Sequence, residues 1–284
     1  MPILGRSIAP WQIRRPFSFA CLVGRHKAWL RSVSCVCRPM SFQFQQFFID
    51  DHDCAMKVGT DGILLGAWVD IGSAATVLDI GTGSGLIAMM IAQRSAQVRI
   101  DAIEIDPVAA KLAQKNVSNG PWPQRIQVHS TSLQDWSKVG ERAQSYDIIV
   151  CNPPFFSSGP GAPETQRRVA RHQEALTLSQ LFQCAAHVSQ EATRISLILP
   201  ADRSEEAIAI AAANRWMLLR RTNVRSLPGR PFHRTLLEWR PASSERLACK
   251  DWELVLESQH HHRSTEFAAL TADFYLPKSS PPLN

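Results

Sequence analysis

A glycine-rich loop and a later carboxylate are the first residues of this 284-residue chain whose types and spacing could do chemistry. The loop, Asp79-Ile80-Gly81-Thr82-Gly83-Ser84-Gly85, follows an apolar run and opens a helical pattern. Glycines allow a sharp turn and the close approach of a ligand, and a helix N-terminus offers free N–H groups. Glu104 ends the next apolar run, where a carboxylate can accept both hydroxyls of a ribose. Nicotinamide dinucleotides use the same loop geometry, although Asp79 would repel their pyrophosphate.

A second motif, Asn152-Pro153-Pro154-Phe155, directly follows another apolar run. The prolines cannot continue a strand ladder and hold the backbone rigid. The side-chain oxygen of Asn152 and the carbonyl of Pro153 can each accept a hydrogen bond from a planar exocyclic amine, which frees the nitrogen lone pair for attack. Phe155 offers a face on which a base can stack. The motif predicts substitution at an amine nitrogen, with neither a metal nor a covalent nucleophile, and leaves adenine, guanine and glutamine open as acceptors.

Together the two motifs resemble those of class I S-adenosylmethionine-dependent methyltransferases that carry a (D/N)PP(Y/F) tetrad. The resemblance implies S-adenosylmethionine as the cofactor, with Asp79 holding its amino group and Glu104 its ribose. It also implies that Ser132 stands where relatives contact the adenine of the donor, although they usually have an acid there and Asp135 comes three residues later. The donor-binding residues expected on this basis are Asp79, Gly81, Gly83, Gly85, Glu104, Ser132 and Asn152.

The segment Cys54 to Trp68 looks like the one that precedes the glycine loop in bacterial tRNA1(Val) adenine-N6 methyltransferases. The similarity runs from about Met40 to Leu276 and includes a phenylalanine-rich lead-in and Pro121-Trp122. It implies methylation of the adenine just 3′ of the anticodon in one valine tRNA, so the anticodon loop would be the partner. In such enzymes Lys57, Thr60 and Asp61 would lie over the donor pocket, and Asp61 is alternatively only a helix cap.

Four other functions compete with this one. Guanine-N2 methyltransferases typically have His after the tetrad, where this chain has Phe156, and glutamine methyltransferases usually have Tyr in place of Phe155. An inactive donor-binding partner subunit would have no need of an intact tetrad. A dehydrogenase would leave the tetrad unexplained.

Two basic groups are candidates for gripping phosphates, and each is alternatively a solvated surface. The first group follows the tetrad by one loop and comprises Arg167, Arg168, Arg171 and His172. The second comprises Arg225, Arg230, His233 and Arg234. Adjacent histidines rarely converge on one ion, so we interpret His260-His261-His262 as a loop and expect no metal site.

Alternating apolar strands and helical patterns predict the layers that position these residues: a mostly parallel α/β sheet of the class I methyltransferase (Rossmann-like) type, with seven strands and a terminal antiparallel hairpin. The hairpin strands are Trp216 to Val224 and His233 to Trp239, and a last helix is expected from Thr265 to Phe274. The other expected elements are strands at 76–80, 98–105, 126–129, 146–151 and 194–199 and helices at 61–69, 86–92, 107–117, 176–188 and 205–214.

Charge and composition bear on the domain boundaries, on RNA binding and on the cellular compartment. The net charge is +6, but residues 1–39 hold seven Lys and Arg and no acid, so the rest sums to about −1 and its charge does not argue for RNA. We expect 1–39 to be a disordered or non-native extension, with Met40 favoured as the start over a transit peptide. We expect a catalytic domain at 40–277 and a flexible tail at 278–284. The seven cysteines form no CxxC pair, and no apolar run would span a bilayer, so we expect a cytoplasmic protein. We also expect it to act as a monomer.

Overall fold

The computed structural model describes residues 41–51, 57–138, 146–153, 176–243 and 248–276. Several predicted features lie outside these ranges. They are the extension 1–39, residues 54–56, Pro154, Phe155, Phe156, the basic group Arg167, Arg168, Arg171 and His172, and the tail 278–284.

The described chain begins with a short antiparallel pair, β1 (Ser41–Gln43) and β2 (Phe48–Asp50). Phe44 and Phe47 in the turn between them stack with ring centroids 4.6 Å apart, and both are buried. The phenylalanine-rich lead-in of the sequence is therefore part of the core. The sequence pattern predicts no strand at these positions.

A large sheet forms the centre of the protein. Its strands are β3 (Thr76–Ile80), β4 (Arg99–Glu104), β5 (Ile126–Ser130), β6 (Tyr146–Cys151), β7 (Ser189–Pro200), β8 (Trp216–Arg225), β9 (Arg234–Pro241) and β10 (Lys250–Val255). They lie in the order β5-β4-β3-β6-β7-β9-β8-β10. All neighbours are parallel except β9, which runs antiparallel to both β7 and β8. The predicted class of fold, a mostly parallel sheet with an antiparallel hairpin, is confirmed.

Two details of that prediction were wrong. The sheet has eight strands in the described ranges rather than seven, and β10 rather than the hairpin forms the edge beside β8. Strand β10 escaped prediction because only Leu254 is buried in it, and its charged residues pair across the strands, as Arg221 does with Asp251. A strand with one buried side chain has no apolar alternation to reveal it.

Helices cover the sheet on both faces: α1 (Thr60–Trp68), α2 (Leu86–Arg94), α3 (Pro107–Asn119), α4 (Leu133–Trp136), α5 (Leu178–His187), α6 (Ser204–Ala213) and α7 (Thr265–Leu270). Helix α7 is shorter than the predicted span to Phe274. The Thr271 hydroxyl donates to the Phe267 carbonyl at 2.7 Å, and the chain then turns. A last antiparallel pair, β11 (Glu257–Gln259) and β12 (His262–Arg263), precedes that helix.

The core lies between the sheet and the helices. The central parallel strands of the sheet are nearly continuous apolar runs. In β3 and β6, Val77, Leu78, Ile148 and Ile149 are fully buried, as expected for parallel strands covered on both faces. None of the helices in the described ranges combines the length and apolarity that crossing a membrane would require. The consequence for function is geometric: the carboxyl ends of the parallel strands converge on one edge, where ligands bind in open α/β sheets.

Candidate active site

A cavity of about 560 Å³ opens at the carboxyl edge of the sheet. Its walls come from the segment that begins α1, the glycine loop, the ends of β4, β5 and β6, and the start of β9. It is large enough for a nucleoside with an amino-acid side chain. Of the donor residues predicted from the sequence, those at the wall are Lys57, Thr60, Asp61, Gly81, Gly83, Glu104, Ser132 and Asn152.

The glycine loop turns from β3 into α2 and forms the floor of this cavity. Gly81 has φ +67°, a left-handed conformation that L side chains rarely adopt, and its N–H donates to the Ile103 carbonyl at 2.9 Å. Gly85 also has a positive φ, but a Cβ added there would meet Ala113 of α3 at 3.6 Å. Gly85 therefore supports helix packing and faces α3, whereas Gly81 and Gly83 face the cavity.

Asp79 lies beneath the loop, and the described wall of the cavity does not include it. The side chain is fully buried. Its Oδ2 accepts hydrogen bonds from the Thr82 hydroxyl at 2.6 Å and from the Ala88 N–H at 3.2 Å, while Oδ1 has no partner in the described residues. Burial raises the pKa of this carboxyl to about 7. In the described residues Asp79 holds the loop through Thr82 and Ala88, and its contact with the donor stays a prediction.

Glu104 ends β4 at the wall of the cavity, where the sequence placed a ribose-binding carboxylate. Its Oε2 accepts from the Gly83 N–H at 2.9 Å and its Oε1 from the Asp106 N–H at 3.0 Å. Burial raises the pKa of this carboxyl, and the two backbone hydrogen bonds oppose that shift. These two hydrogen bonds hold the carboxylate rigidly. Each oxygen keeps a further lone pair, so the carboxylate can still accept two hydroxyls.

The segment before α1 bends over the cavity and is held by Asp51. The Asp51 carboxylate accepts from the Val58 N–H at 2.8 Å, and its carbonyl accepts from the Lys57 ammonium at 2.7 Å. Sequence reasoning missed Asp51, because an acid in a mixed polar segment carries no signal of its own. Asp61 is not the helix cap: Gly59 occupies that position, and Asp61 forms an ion pair with Arg234 at 2.7 Å.

Ser132 caps α4 at the β5 side of the cavity. Its hydroxyl accepts from the Asp135 N–H at 3.0 Å and donates to the Asp135 carboxylate at 2.8 Å. Asp135 also pairs with Lys138 on the exposed side, and the described wall does not include it. The wall at this end is completed by the apolar Ile105 and Leu133 and the polar Thr131 and Gln134, which together form a slot.

The acceptor motif begins at the end of β6, across the cavity from the glycine loop. Asn152 and Pro153 line the wall, and Asn152 Oδ1 is buried without a hydrogen-bond partner in the described residues. A buried amide oxygen without a partner is costly, which makes it a candidate for binding a donor group from a ligand. Cys151 beside it is fully buried, and burial raises the pKa of its thiol far above neutrality, so it is inert.

Only two of the four residues of the second basic group lie at the cavity wall. Arg225 stacks on Phe232 at 3.8 Å and pairs with Glu253 at 3.0 Å, whereas Arg230 is exposed. His233 and Arg234 line the cavity. Burial and the charge of Arg234 lower the pKa of His233.

The three adjacent histidines form the turn between β11 and β12 and the start of β12. The described ranges contain no group of three metal-ligating side chains that would hold an ion.

Comparison with known proteins separates the possible families. A tRNA1(Val) (adenine(37)-N6)-methyltransferase of Cronobacter sakazakii is 40% identical over 84% of this chain and 96% of its own length. One of Porphyromonas gingivalis is 43% identical over 82% of this chain and 94% of its own length. The chain belongs to the tRNA1(Val) (adenine(37)-N6)-methyltransferase family. The resemblance proposed from the Cys54 to Trp68 segment is thereby confirmed.

Other comparisons agree with membership of this methyltransferase family. A model of the methyltransferase small domain matches residues 58–179, from just before α1 into α5. A crystal structure described as a predicted O-methyltransferase of Agrobacterium tumefaciens superposes with a TM-score of 0.59 at 19% identity, over 75% of this chain and 96% of that one. At that identity the likeness shows the fold, a class I methyltransferase sheet.

The residues at the cavity wall suit the S-adenosylmethionine that the methyltransferase family and fold imply. The loop leaves open space above Gly81, where a Cβ would meet nothing within 4 Å. Glu104 presents a carboxylate, and the slot beside Leu133 is apolar enough for a purine. The wall thus offers a carboxylate that can accept the ribose hydroxyls and apolar side chains that can pack on the adenine.

Proposed function

We propose that this enzyme transfers a methyl group from S-adenosylmethionine to the N6 amine of an adenine in tRNA, at position 37 of tRNA1(Val). The curated relatives carry that activity in their names and match this chain over more than nine-tenths of their length. The observation that carries the chemistry is the buried Oδ1 of Asn152 at the cavity wall, which has no hydrogen-bond partner among the described residues.

In this proposal the protein mainly positions its two ligands. When bound, S-adenosylmethionine supplies an electrophilic methyl group on a sulfonium. Glu104 accepts the ribose hydroxyls, and the Gly81 turn leaves room for the donor against the floor of the cavity. Asn152 Oδ1 and the Pro153 carbonyl accept the two hydrogens of the adenine amine, so that its lone pair turns toward the methyl group. Phe155 is proposed to stack on the target base.

The surrounding roles complete the proposal. Lys57, Thr60 and Ser132 line the donor pocket, while Arg167, Arg168, Arg171 and His172 are proposed to contact anticodon-loop phosphates. We further propose a catalytic domain at 40–277 that acts as a monomer without a metal. Guanine-N2 and glutamine methylation remain the alternative activities of the same tetrad, and neither matches the names of the relatives.

Methyl transfer from radiolabelled donor to tRNA isolated without the modification tests this function, with nucleoside mass spectrometry to identify the product. We expect label in N6-methyladenosine, confined to the valine tRNA fraction. Methylguanosine or labelled protein as the product would contradict the assignment. A reaction with fully modified tRNA is the matched control and is expected to give no label.

A further inference from the structure

An ion pair between Asp61 and Arg234 lies at the cavity wall, on the side of α1 and β9. Arg234 is the first residue of β9 and Asp61 the second residue of α1, so the pair joins two elements far apart in the chain. The guanidinium Nε donates to Asp61 Oδ2 at 2.7 Å, and Nη1 donates to the His233 carbonyl at 2.9 Å. The two side chains are 30% and 26% exposed, and both face the cavity.

Each member of the ion pair has an atom that can still form a hydrogen bond with a ligand. Within the described residues, no hydrogen bond reaches Asp61 Oδ1 or Arg234 Nη2, although each of these atoms belongs to a charged group. Side by side at a cavity wall, a carboxylate and a guanidinium present one negative and one positive charge to whatever binds there.

The other charged groups at the wall have other roles: Lys57 donates to the Asp51 carbonyl, and Glu104 is proposed to bind the ribose. Glu104 is held by two backbone N–H groups, and Asp106 caps α3 by accepting from the Val108 N–H. Asp79, the acid that sequence reasoning assigned to the donor's amino group, is buried beneath the loop. The carboxylate that the cavity does present on this side is Asp61.

The amino-acid end of the proposed donor has a complementary pair of charges, an ammonium and a carboxylate on one carbon. We infer that Asp61 and Arg234 together receive this zwitterionic end, with Asp61 accepting from the ammonium and Arg234 donating to the carboxylate. The inference rests on the proposed function, because it takes S-adenosylmethionine as the donor. It places the adenosine toward Glu104 and Leu133 and the amino acid toward α1 and β9.

Two ligands that differ only in the amino-acid end test this inference without turnover. S-adenosylhomocysteine carries the zwitterion, whereas 5′-methylthioadenosine keeps the adenosine and the sulfur and lacks it. Calorimetric affinities of both ligands are measured for the native chain, Arg234→Gln and Asp61→Asn. We expect each variant to bind S-adenosylhomocysteine at least about tenfold more weakly, as for the loss of one charge-assisted hydrogen bond, and 5′-methylthioadenosine within about twofold of the native value.

Matched variants separate this role from a structural one. Arg221→Gln removes a similarly exposed arginine that pairs with Glu205 and Asp251 away from the cavity, and it should leave both affinities unchanged. Combining Asp61→Arg with Arg234→Asp restores an ion pair with reversed polarity. A purely structural pair would recover native binding of S-adenosylhomocysteine in this double variant, whereas a recognition pair would not.

The possible outcomes distinguish the inference from the function beneath it. If the native chain binds neither ligand, the proposed donor is wrong. If the native chain prefers S-adenosylhomocysteine and Arg234→Gln keeps the whole preference, the donor stands and the inference is overturned. Loss of tRNA affinity in Arg234→Gln with unchanged donor affinity would also overturn it, since Arg234 would then serve the acceptor.

Discussion

At the scale of single residues, burial gives Asp79 a proton that a surface aspartate would have lost. A carboxyl whose pKa is about 7 in the folded chain and near 4 in the unfolded chain holds its proton only when folded, across that interval. The folded state therefore binds more protons than the unfolded state between about pH 4 and pH 7. Its free energy of unfolding must fall as the pH rises through this window.

We predict that Asp79→Asn removes most of this pH dependence. The native chain should lose stability between pH 5 and pH 7, by at most about 1.4 kcal/mol per pH unit from this residue, while the variant should show a flatter profile. Urea unfolding of the donor-free protein at several pH values measures both profiles. Parallel profiles would show that Asp79 is ionised in the folded chain at pH 5.

Asn152 is the residue on which the acceptor chemistry depends. We predict that Asn152→Ala lowers the single-turnover rate of methyl transfer by roughly a hundredfold or more, because the buried acceptor for the amine is lost. Donor affinity, measured calorimetrically, should fall far less than the transfer rate. Asn152→Asp keeps a side-chain oxygen and is the matched control, which should retain more activity than Ala. Equal loss of donor binding in Asn152→Ala would mean that the residue is structural.

At the scale of elements, buried strands and capped helices were predictable and partly exposed elements were not. Apolar runs that end near glycine or proline predict strands β3 and β6, and Pro107 predicts the start of α3. The start of β7 was missed because Gln190 and Glu191 face outward, and the end of α7 because its apolar residues continue into a turn. At the site, residue type located Glu104 and Asn152. The Asp61–Arg234 pair needed the fold, since its members are 173 residues apart.

Helix α1 approaches α2 closely through two glycines, and this contact sets the position of the cavity wall. A Cβ added at Gly66 would lie 2.7 Å from Met90 Sδ and 3.1 Å from Met90 Cβ. We predict that Gly66→Val costs about 1–3 kcal/mol of unfolding free energy by forcing the helices apart. Donor affinity should also fall, because Thr60 and Asp61 move with α1.

A second substitution shows whether that clash is the cause. Met90→Ala opens space on α2, so Gly66→Val together with Met90→Ala should lose clearly less stability than the two single losses added together. Chemical denaturation of the four proteins gives the coupling. Strict additivity would place the effect of Gly66 elsewhere in the helix.

At the scale of the whole molecule, the positive charge and the site are separate. The net +6 comes from the first 39 residues, and the remainder is close to neutral. Basic groups placed at the site contact the phosphates of one bound tRNA, whereas a basic extension adds binding that does not read sequence. Recognition of one tRNA should therefore depend on the body and not on the extension.

We predict that a chain beginning at Met40 methylates the same nucleoside at a similar rate. Its non-specific RNA binding should depend less steeply on salt, by up to about 0.7 in the logarithmic slope for each lost phosphate contact. Filter binding at several salt concentrations measures the slope. Arg168→Glu with Arg171→Glu in the full chain is the comparison: it should weaken binding of the substrate tRNA itself. If truncation instead abolished methylation, the extension would be part of the acceptor site.

The contacts of α1 also set an order of events in time. The ribosome synthesises this helix early, but two of its hydrogen-bond partners come much later in the chain. The Trp68 indole donates to Thr222 of β8, and Asp61 accepts from Arg234 of β9. A growing chain can build β3 to β6 and the glycine loop while these partners are still unsynthesised. The donor pocket thus acquires its last wall only when β9 has emerged. On the role inferred for this pair, an unfinished polypeptide binds the methyl donor more weakly than the completed chain does.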